Sequence, residues 1–278
     1  MVSPGQINSL RVVKEVDFGF YLDGAEFGEI LLPLRYIPRN LNVDDHVDVF
    51  LYYDSEDRLI ATTETPLAFA GDFAFLKVKQ LTQVGAFLDW GLMKDLLVPF
   101  KEQKTEMIGG QSYLVKIYVD EKSQRIVASS KLDRFLDNVP VDFNEGEEVD
   151  LQIWEKTNLG YKVIINNTHS GLLYANEIFK PVKPGQKLTG YVKRLRDDEK
   201  IDLTLQKQGY IHVDETSTAI LDKLKLQGGY IEANDNTSPE SIKHIFGVSK
   251  KVFKKAIGSL YKARLIVIED KGIRLVKK

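Results

Sequence analysis

Phe18-Gly19-Phe20-Tyr21-Leu22 has two echoes in the same chain, Val84-Gly85-Ala86-Phe87-Leu88 and Leu159-Gly160-Tyr161-Lys162-Val163. Each is an apolar residue, a glycine and a short β-type alternation. A short apolar return follows each one: Gly28-Glu29-Ile30-Leu31-Leu32-Pro33, Lys94-Asp95-Leu96-Leu97-Val98-Pro99 and Gly171-Leu172-Leu173-Tyr174. A second alternating pair then runs over 44–63, 109–130 and 184–205. The spacing is constant, with 28 residues from Gly19 to Val47, from Gly85 to Tyr113 and from Gly160 to Leu188. Alternation such as Val47-Asp48-Val49-Phe50 beside a polar turn such as Asp54-Ser55-Glu56-Asp57 is the mark of half-buried strands joined in a hairpin. The internal glycine suits a bent strand or a bulge. Five short strands in about 65–75 residues predict a small Greek-key barrel of the OB type. The expected barrels are 1–67, 68–138 and 139–212.

These units resemble the S1 RNA-binding domain. Its pattern is an aromatic-Gly-Ala-aromatic-Val strand, a Gly-Leu-Val-His-x-Ser return and a Gly-Gln-x-Val … Lys-Ile-x-Leu-Ser-Leu close. The third repeat carries the fullest return and close, in Gly171-Leu172-Leu173-Tyr174-Ala175-Asn176-Glu177-Ile178, Pro184-Gly185-Gln186-Lys187-Leu188 and Lys200-Ile201-Asp202-Leu203-Thr204-Leu205. The first carries the best aromatic strand. No single repeat matches throughout.

After Gly209 the period changes from two to that of a helix. Thr216-Ser217 read as a cap for a helix carrying Ala219, Ile220, Leu221, Leu224 and Leu226, ended by Gly228-Gly229. Ser238-Pro239-Glu240 starts a second helix with Ile242, Ile245 and Phe246, stopped at Gly247. Ser249 caps a third. At 100° per residue Val252, Phe253, Ala256, Ile257, Leu260 and Tyr261 fall on one half, and Lys251, Lys254, Lys255 and Lys262 on the other, with Lys250 at the boundary. Leu265-Ile266-Val267-Ile268, Glu269-Asp270-Lys271-Gly272 and Ile273-Arg274-Leu275-Val276 read as a hairpin. Three helices and a hairpin over 213–278 resemble a winged helix whose third helix is the usual recognition helix. The expected fold is mainly β with a C-terminal α+β part: three tandem S1/OB-type five-stranded barrels, then a winged-helix domain.

That domain order, in a chain of 278 residues with no cysteine, is similar to the bacterial conserved virulence factor B family. The resemblance implies a cytoplasmic RNA-binding regulator that affects expression of virulence genes.

Composition narrows the classes independently. The chain is 43% hydrophobic and 28% charged, as a folded protein is. Absence of cysteine removes disulfides, thiolate metal sites and thiol nucleophiles. No apolar run reaches 18 residues, so no membrane segment is expected. His46, His169, His212 and His244 lie far apart, without metal-ligand spacing, and no phosphate-binding Gly-rich run or nucleophile elbow occurs. Neither catalysis nor a cofactor or metal is expected. Net charge is −2, yet residues 1–75 carry −8 and residues 239–278 carry +8. The C-terminal block therefore suits a polyanion and the first repeat does not.

The S1 resemblance implies base stacking at the two aromatics around Gly-Ala and at the histidine of the return. In the first repeat these are Phe18 and Tyr21, with Leu32 at the histidine position. In the second they are Val84 and Phe87, with Val98. In the third they are Leu159 and Lys162, with Tyr174, and Tyr161 lies adjacent. Lys94, Lys101, Lys193, Arg194 and Arg196 are the basic candidates beside them. On the third helix Lys250, Lys251, Lys254, Lys255 and Lys262 suit phosphate, and nothing among them suits bidentate base reading. Each aromatic has an ordinary alternative as barrel packing, and the lysines as a solvated helix face. Single-stranded RNA is the expected partner. Two alternatives stand beside it: duplex DNA bound by the winged helix, and a protein partner held by the acidic first barrel.

Overall fold

The computed structural model describes residues 2–137, 142–178, 181–207 and 215–276. The expected boundaries at 138–139 and 212–213 lie outside the described residues. By internal packing the chain divides into two compact units. One comprises Met1–Asp142, Asp150–Leu188 and Arg196–Ile201; the other comprises Phe143–Val149, Thr189–Leu195 and Asp202–Lys278.

The first repeat forms β1 (Ile7–Val16), β2 (Gly19–Asp23), β3 (Glu29–Pro33), β4 (His46–Tyr53) and β5 (Leu59–Thr62), a closed barrel in the order β1-β2-β3-β5-β4. The second forms β6 (Phe73–Thr82), β7 (Gly85–Asp89), β8 (Leu96–Pro99), β9 (Ser112–Val119) and β10 (Ile126–Ser129). The third forms β11 (Glu148–Lys156), β12 (Gly160–Ile165), β13 (His169–Tyr174), β14 (Lys187–Leu195) and β15 (Ile201–Thr204), closed in the same order as the first. The constant 28-residue spacing joins the first residue of the second strand to the second residue of the fourth in every repeat.

Two details differ from the sequence reading. The second sheet has the order β10-β9-β6-β7-β8 and is not closed by a ladder, although β8 and β10 lie side by side. Even in the first barrel a single parallel pair, Leu31 with Ile60, makes the closure. In the second the gap is stitched by other groups. The buried Gln103 carboxamide donates to the Val98 carbonyl at 3.1 Å and accepts from the Met107 N–H, while the Ser130 N–H donates to the Glu102 carbonyl at 2.9 Å.

The repeated glycine is also not the bulge. The register slips six residues earlier in the chain, at Val13, Lys79 and Trp154 on the partner strands. The glycine instead solves a contact problem. A Cβ on Gly19 would stand 2.2 Å from the Leu32 carbonyl oxygen, on Gly85 2.2 Å from that of Val98, and on Gly160 2.1 Å from that of Leu173. Their φ values of 157°, 149° and 156° also lie where side chains are strained. The second strand can approach the third this closely only without a side chain.

Alternation sorts the faces. Val12, Phe20, Leu22, Ile30, Leu32 and Val49 fill the first barrel; Val78, Ala86, Leu88, Leu96, Val98 and Ile117 fill the second. Phe50, Tyr52 and Ile60 point out of the first barrel and join the second core, where Phe50 meets Trp90 edge-on at 5.6 Å.

The C-terminal segment forms α1 (Glu215–Leu226), β16 (Tyr230–Ile231), α2 (Pro239–Phe246), α3 (Lys250–Lys262), β17 (Ile266–Glu269) and β18 (Gly272–Leu275), with sheet order β16-β18-β17. The caps act as their chemistry requires. The Ser238 hydroxyl accepts from the Ser241 N–H, Gly247 ends α2 in the left-handed conformation, and the Ser249 hydroxyl accepts from the Val252 N–H. Thr216 and Ser217 are already helical rather than capping, and Leu226 is 86% exposed rather than packed. Ala219 is exposed as well. The core of this segment is Ile220, Leu224, Ile242, Phe253, Ile257 and Leu260.

Gly85→Ala is expected to destabilise the full-length protein by about 2 kcal/mol or more, since a backbone carbonyl must move. Gly109→Ala, in open space, should stay within about 0.5 kcal/mol of the parent. Chemical denaturation of both variants checks the contrast.

Candidate nucleic-acid interface

The register shared by the repeats defines equivalent surface positions. Gly19 pairs with Pro33, Gly85 with Pro99 and Gly160 with Tyr174. Tyr174 is thus the counterpart of Pro33 and Pro99. Leu32 and Val98, placed at the histidine position from sequence, sit one residue too early and are buried. Only the third repeat has an aromatic there.

The residue before each glycine lies at the tip of the first hairpin: Phe18, Val84 and Leu159 are all more than half exposed. Two residues after the glycine the side chain is half-buried on the outer face. In the first repeat this is Tyr21, 6.3 Å from the Phe18 ring in an edge-on pair, with the Lys14 ammonium 4.7 Å from its centroid. In the second it is Phe87. In the third it is Lys162, which stands 3.9 Å over the Trp154 ring and pairs with Asp133, so the stacking position is filled by a cation already engaged. Tyr161 belongs to the register of Phe20 and Ala86, the inward set, and is half-buried.

The sequence pattern alone does not single out Phe100. It opens the short turn after β8 and is 52% exposed, next to the exposed Lys101. Its counterparts are Leu34 and Ala175, whose N–H groups donate to the Phe18 and Leu159 carbonyls at 3.1 and 3.0 Å. The available signal was an apolar residue just after the return, visible only once the register is known.

The basic candidates differ in exposure. The Lys94 ammonium donates to the Asp54 carbonyl at 2.5 Å, and burial pushes its pKa down against the pull of Asp57 and Asp54. Lys193 and Arg194 are exposed on β14. Arg196 is exposed and approaches Asp198 at 3.3 Å.

On α3, Lys251, Lys254, Lys255 and Lys262 are exposed and Lys250 is half-buried. Lys254 lies 3.6 Å from Asp235. Val252 and Tyr261, assigned to the packed half from sequence, are instead exposed and flank the lysines. The solvent face is therefore a basic strip with an aromatic and a branched edge. The wing is held by the buried Asn234, whose amide donates to the Glu269 and Asp270 carbonyls at 3.1 and 2.8 Å. Arg274 binds both Glu269 carboxylate oxygens, holding that carboxyl below the usual range, and lies 4.6 Å over the Tyr230 ring.

These features coincide with two family models. Residues 4–64 match the S1 domain and residues 218–275 match the CvfB-like winged helix domain. The chain resembles the conserved virulence factor B family along nearly its whole length. Conserved virulence factor B of Staphylococcus aureus is 26% identical over 99% of this chain and 94% of its own. YitL of Bacillus subtilis is 28% identical over 93% of this chain and 89% of its own. A crystal structure of a multidomain protein with nucleic acid binding domains from Streptococcus pneumoniae covers 98% of both chains at 24% identity, with a TM-score of 0.43. Both matched domains are nucleic-acid-binding types and neither is a catalytic one, so this is a nucleic-acid-binding protein. Among the described residues no helix is long and apolar enough to cross a membrane.

Asn234→Ala leaves two wing carbonyls without their donor. The expected cost is about 1–3 kcal/mol, with faster amide hydrogen exchange confined to β17 and β18 relative to α3.

Proposed function

We propose that the protein binds single-stranded RNA and acts in the cytoplasm as a post-transcriptional regulator of gene expression, virulence genes among its targets. Four modules, 1–67, 68–138, 139–212 and 213–278, share the work. The observation that carries this reading is the recurrence, in one register, of an exposed apolar tip in all three repeats and of an outer aromatic in the first two, in a chain that also bears the basic strip of α3. Single-strand binders combine these two elements: stacked bases supply about 1–3 kcal/mol each, and cations track the backbone. Linked weak modules raise overall affinity through effective concentration. The name of the Staphylococcus aureus relative supports the virulence part of the reading.

Phe87, Tyr174 and Arg194 are the contacts expected from the barrels. The α3 lysines supply sequence-independent phosphate contact, since the strip holds no side chain suited to bidentate base reading.

Fluorescence anisotropy against single-stranded RNA, single-stranded DNA and duplex DNA of equal length, at several salt concentrations, tests the proposal. Tightest binding to single-stranded RNA is expected, and Phe87→Ala should weaken it by about 1–3 kcal/mol. Replacing Lys251, Lys255 and Lys262 together by alanine should flatten the log–log salt slope by about 2, at roughly 0.7 per single-strand phosphate contact. Duplex preference would transfer the function to the winged helix, and absence of binding to all three would leave the acidic first barrel as a protein-contact module.

A further inference from the structure

The first barrel leans on the second at the face where the second would stack a base. The β4–β5 hairpin is tied there at three points. Phe50 packs against Trp90 and Phe69, with ring centroids 5.6 and 6.0 Å apart. Lys94 donates to the Asp54 carbonyl. The Arg125 guanidinium, from the turn before β10, pairs with the Asp57 carboxylate. Between these ties lies a cleft of about 560 Å³. Tyr53 and Asp57 of the first barrel line it, with Gln80, Phe87, Lys94 and Arg125 of the second.

Size and chemistry together select the occupant. Small-molecule sites run from about 300 to 1,000 Å³ and combine apolar walls with a few convergent polar groups. Tyr53 and Phe87 are both half-buried, so each still offers ring surface. Gln80 is exposed on β6 and carries a donor and an acceptor, as the edge of a base requires. Arg125 is about half exposed and supplies a planar fork for phosphate. A planar heterocycle with a polar edge and one phosphate uses every one of these groups. An acidic peptide would use the arginine and leave the aromatic walls without a partner.

We propose that this cleft is a pocket for a single nucleotide of a bound strand, its base against Phe87 and Tyr53, its edge on Gln80 and its phosphate on Arg125 in place of Asp57. The site rests on the single-strand reading above and adds two features to it. The first barrel, whose charge of −8 over residues 1–75 opposes phosphate, enters the interface as a wall rather than as a track. Asp57 is a competitor for Arg125 that the strand must displace.

The test uses the full-length protein with fluorescein-labelled pentauridylate and pentaadenylate, followed by anisotropy. Emission of Trp90, which lines the cleft, reports on the site in a Trp154→Phe background, where it is the remaining tryptophan of the two in the chain. Tyr53→Ala, Gln80→Ala and Arg125→Ala should each weaken binding at least about fivefold and reduce the Trp90 response. Gln80 and Arg125 sit at the surface, so these two variants keep the test intact if Tyr53→Ala perturbs the hairpin. Asp57→Ala should tighten binding severalfold, whereas a purely structural latch would leave affinity unchanged or lower it. Inorganic phosphate alone should leave Trp90 emission unchanged. If Phe87→Ala weakens binding while Tyr53→Ala, Gln80→Ala, Arg125→Ala and Asp57→Ala all behave as the parent, the second barrel is an open platform and the pocket is wrong, with the single-strand reading intact. If the parent binds neither oligonucleotide, both readings fall.

Discussion

A peptide oxygen and a missing methyl group set the geometry of every repeat. At Gly19, Gly85 and Gly160 the carbonyl of the third strand occupies the volume a Cβ would take. That approach fixes the pairing of second and third strands at one register, and a one-residue slip would turn every side chain to the wrong face. With the register fixed, the residue before the glycine is driven to the exposed tip, the one after the glycine faces inward and the one beyond that faces out. The positions available to a bound strand follow from this one contact.

The acidic residues of the first repeat look different once placed. Asp54 is a builder of its turn. Burial pushes its carboxyl up, but N–H groups of Arg58 and Glu56 and the Arg58 guanidinium more than reverse that, and the net pKa lies below the ordinary value. Arg11 is paired with Asp44 and lies near Asp23, and Lys14 with Glu29. Several of the block's carboxylates are thus engaged in turns and local pairs while its net charge stays at −8, and Asp57 is directed at the second barrel.

Period and punctuation made the architecture legible. The 28-residue spacing, the polar hairpin turns and the Ser238, Gly247 and Ser249 caps each have a local physical cause, so they survive translation from sequence to structure. What failed depended on partners distant in the chain. The slip that moved the histidine position from Leu32 and Val98 to Pro33 and Pro99 is set by strand pairing. The engagement of Lys162 by Trp154 and Asp133, and of Lys94 by Asp54, needs neighbours no window contains. Helical angle alone places Val252 and Tyr261 on the packed half, but the helix buries a narrower stripe, Phe253, Ala256, Ile257 and Leu260. Phe100 has no period to announce it.

The stitched gap between β8 and β10 bears on how strand edges are covered. An unpaired strand edge is a template on which another chain can add a strand. The first barrel removes most of its edge by closing, but the second leaves two facing edges that no ladder joins. Gln103 and the Glu102 carbonyl satisfy hydrogen-bonding groups there that would otherwise be left without a partner. One buried carboxamide therefore does the work of a missing ladder, and a barrel can be sealed by side-chain hydrogen bonds where its backbones do not pair.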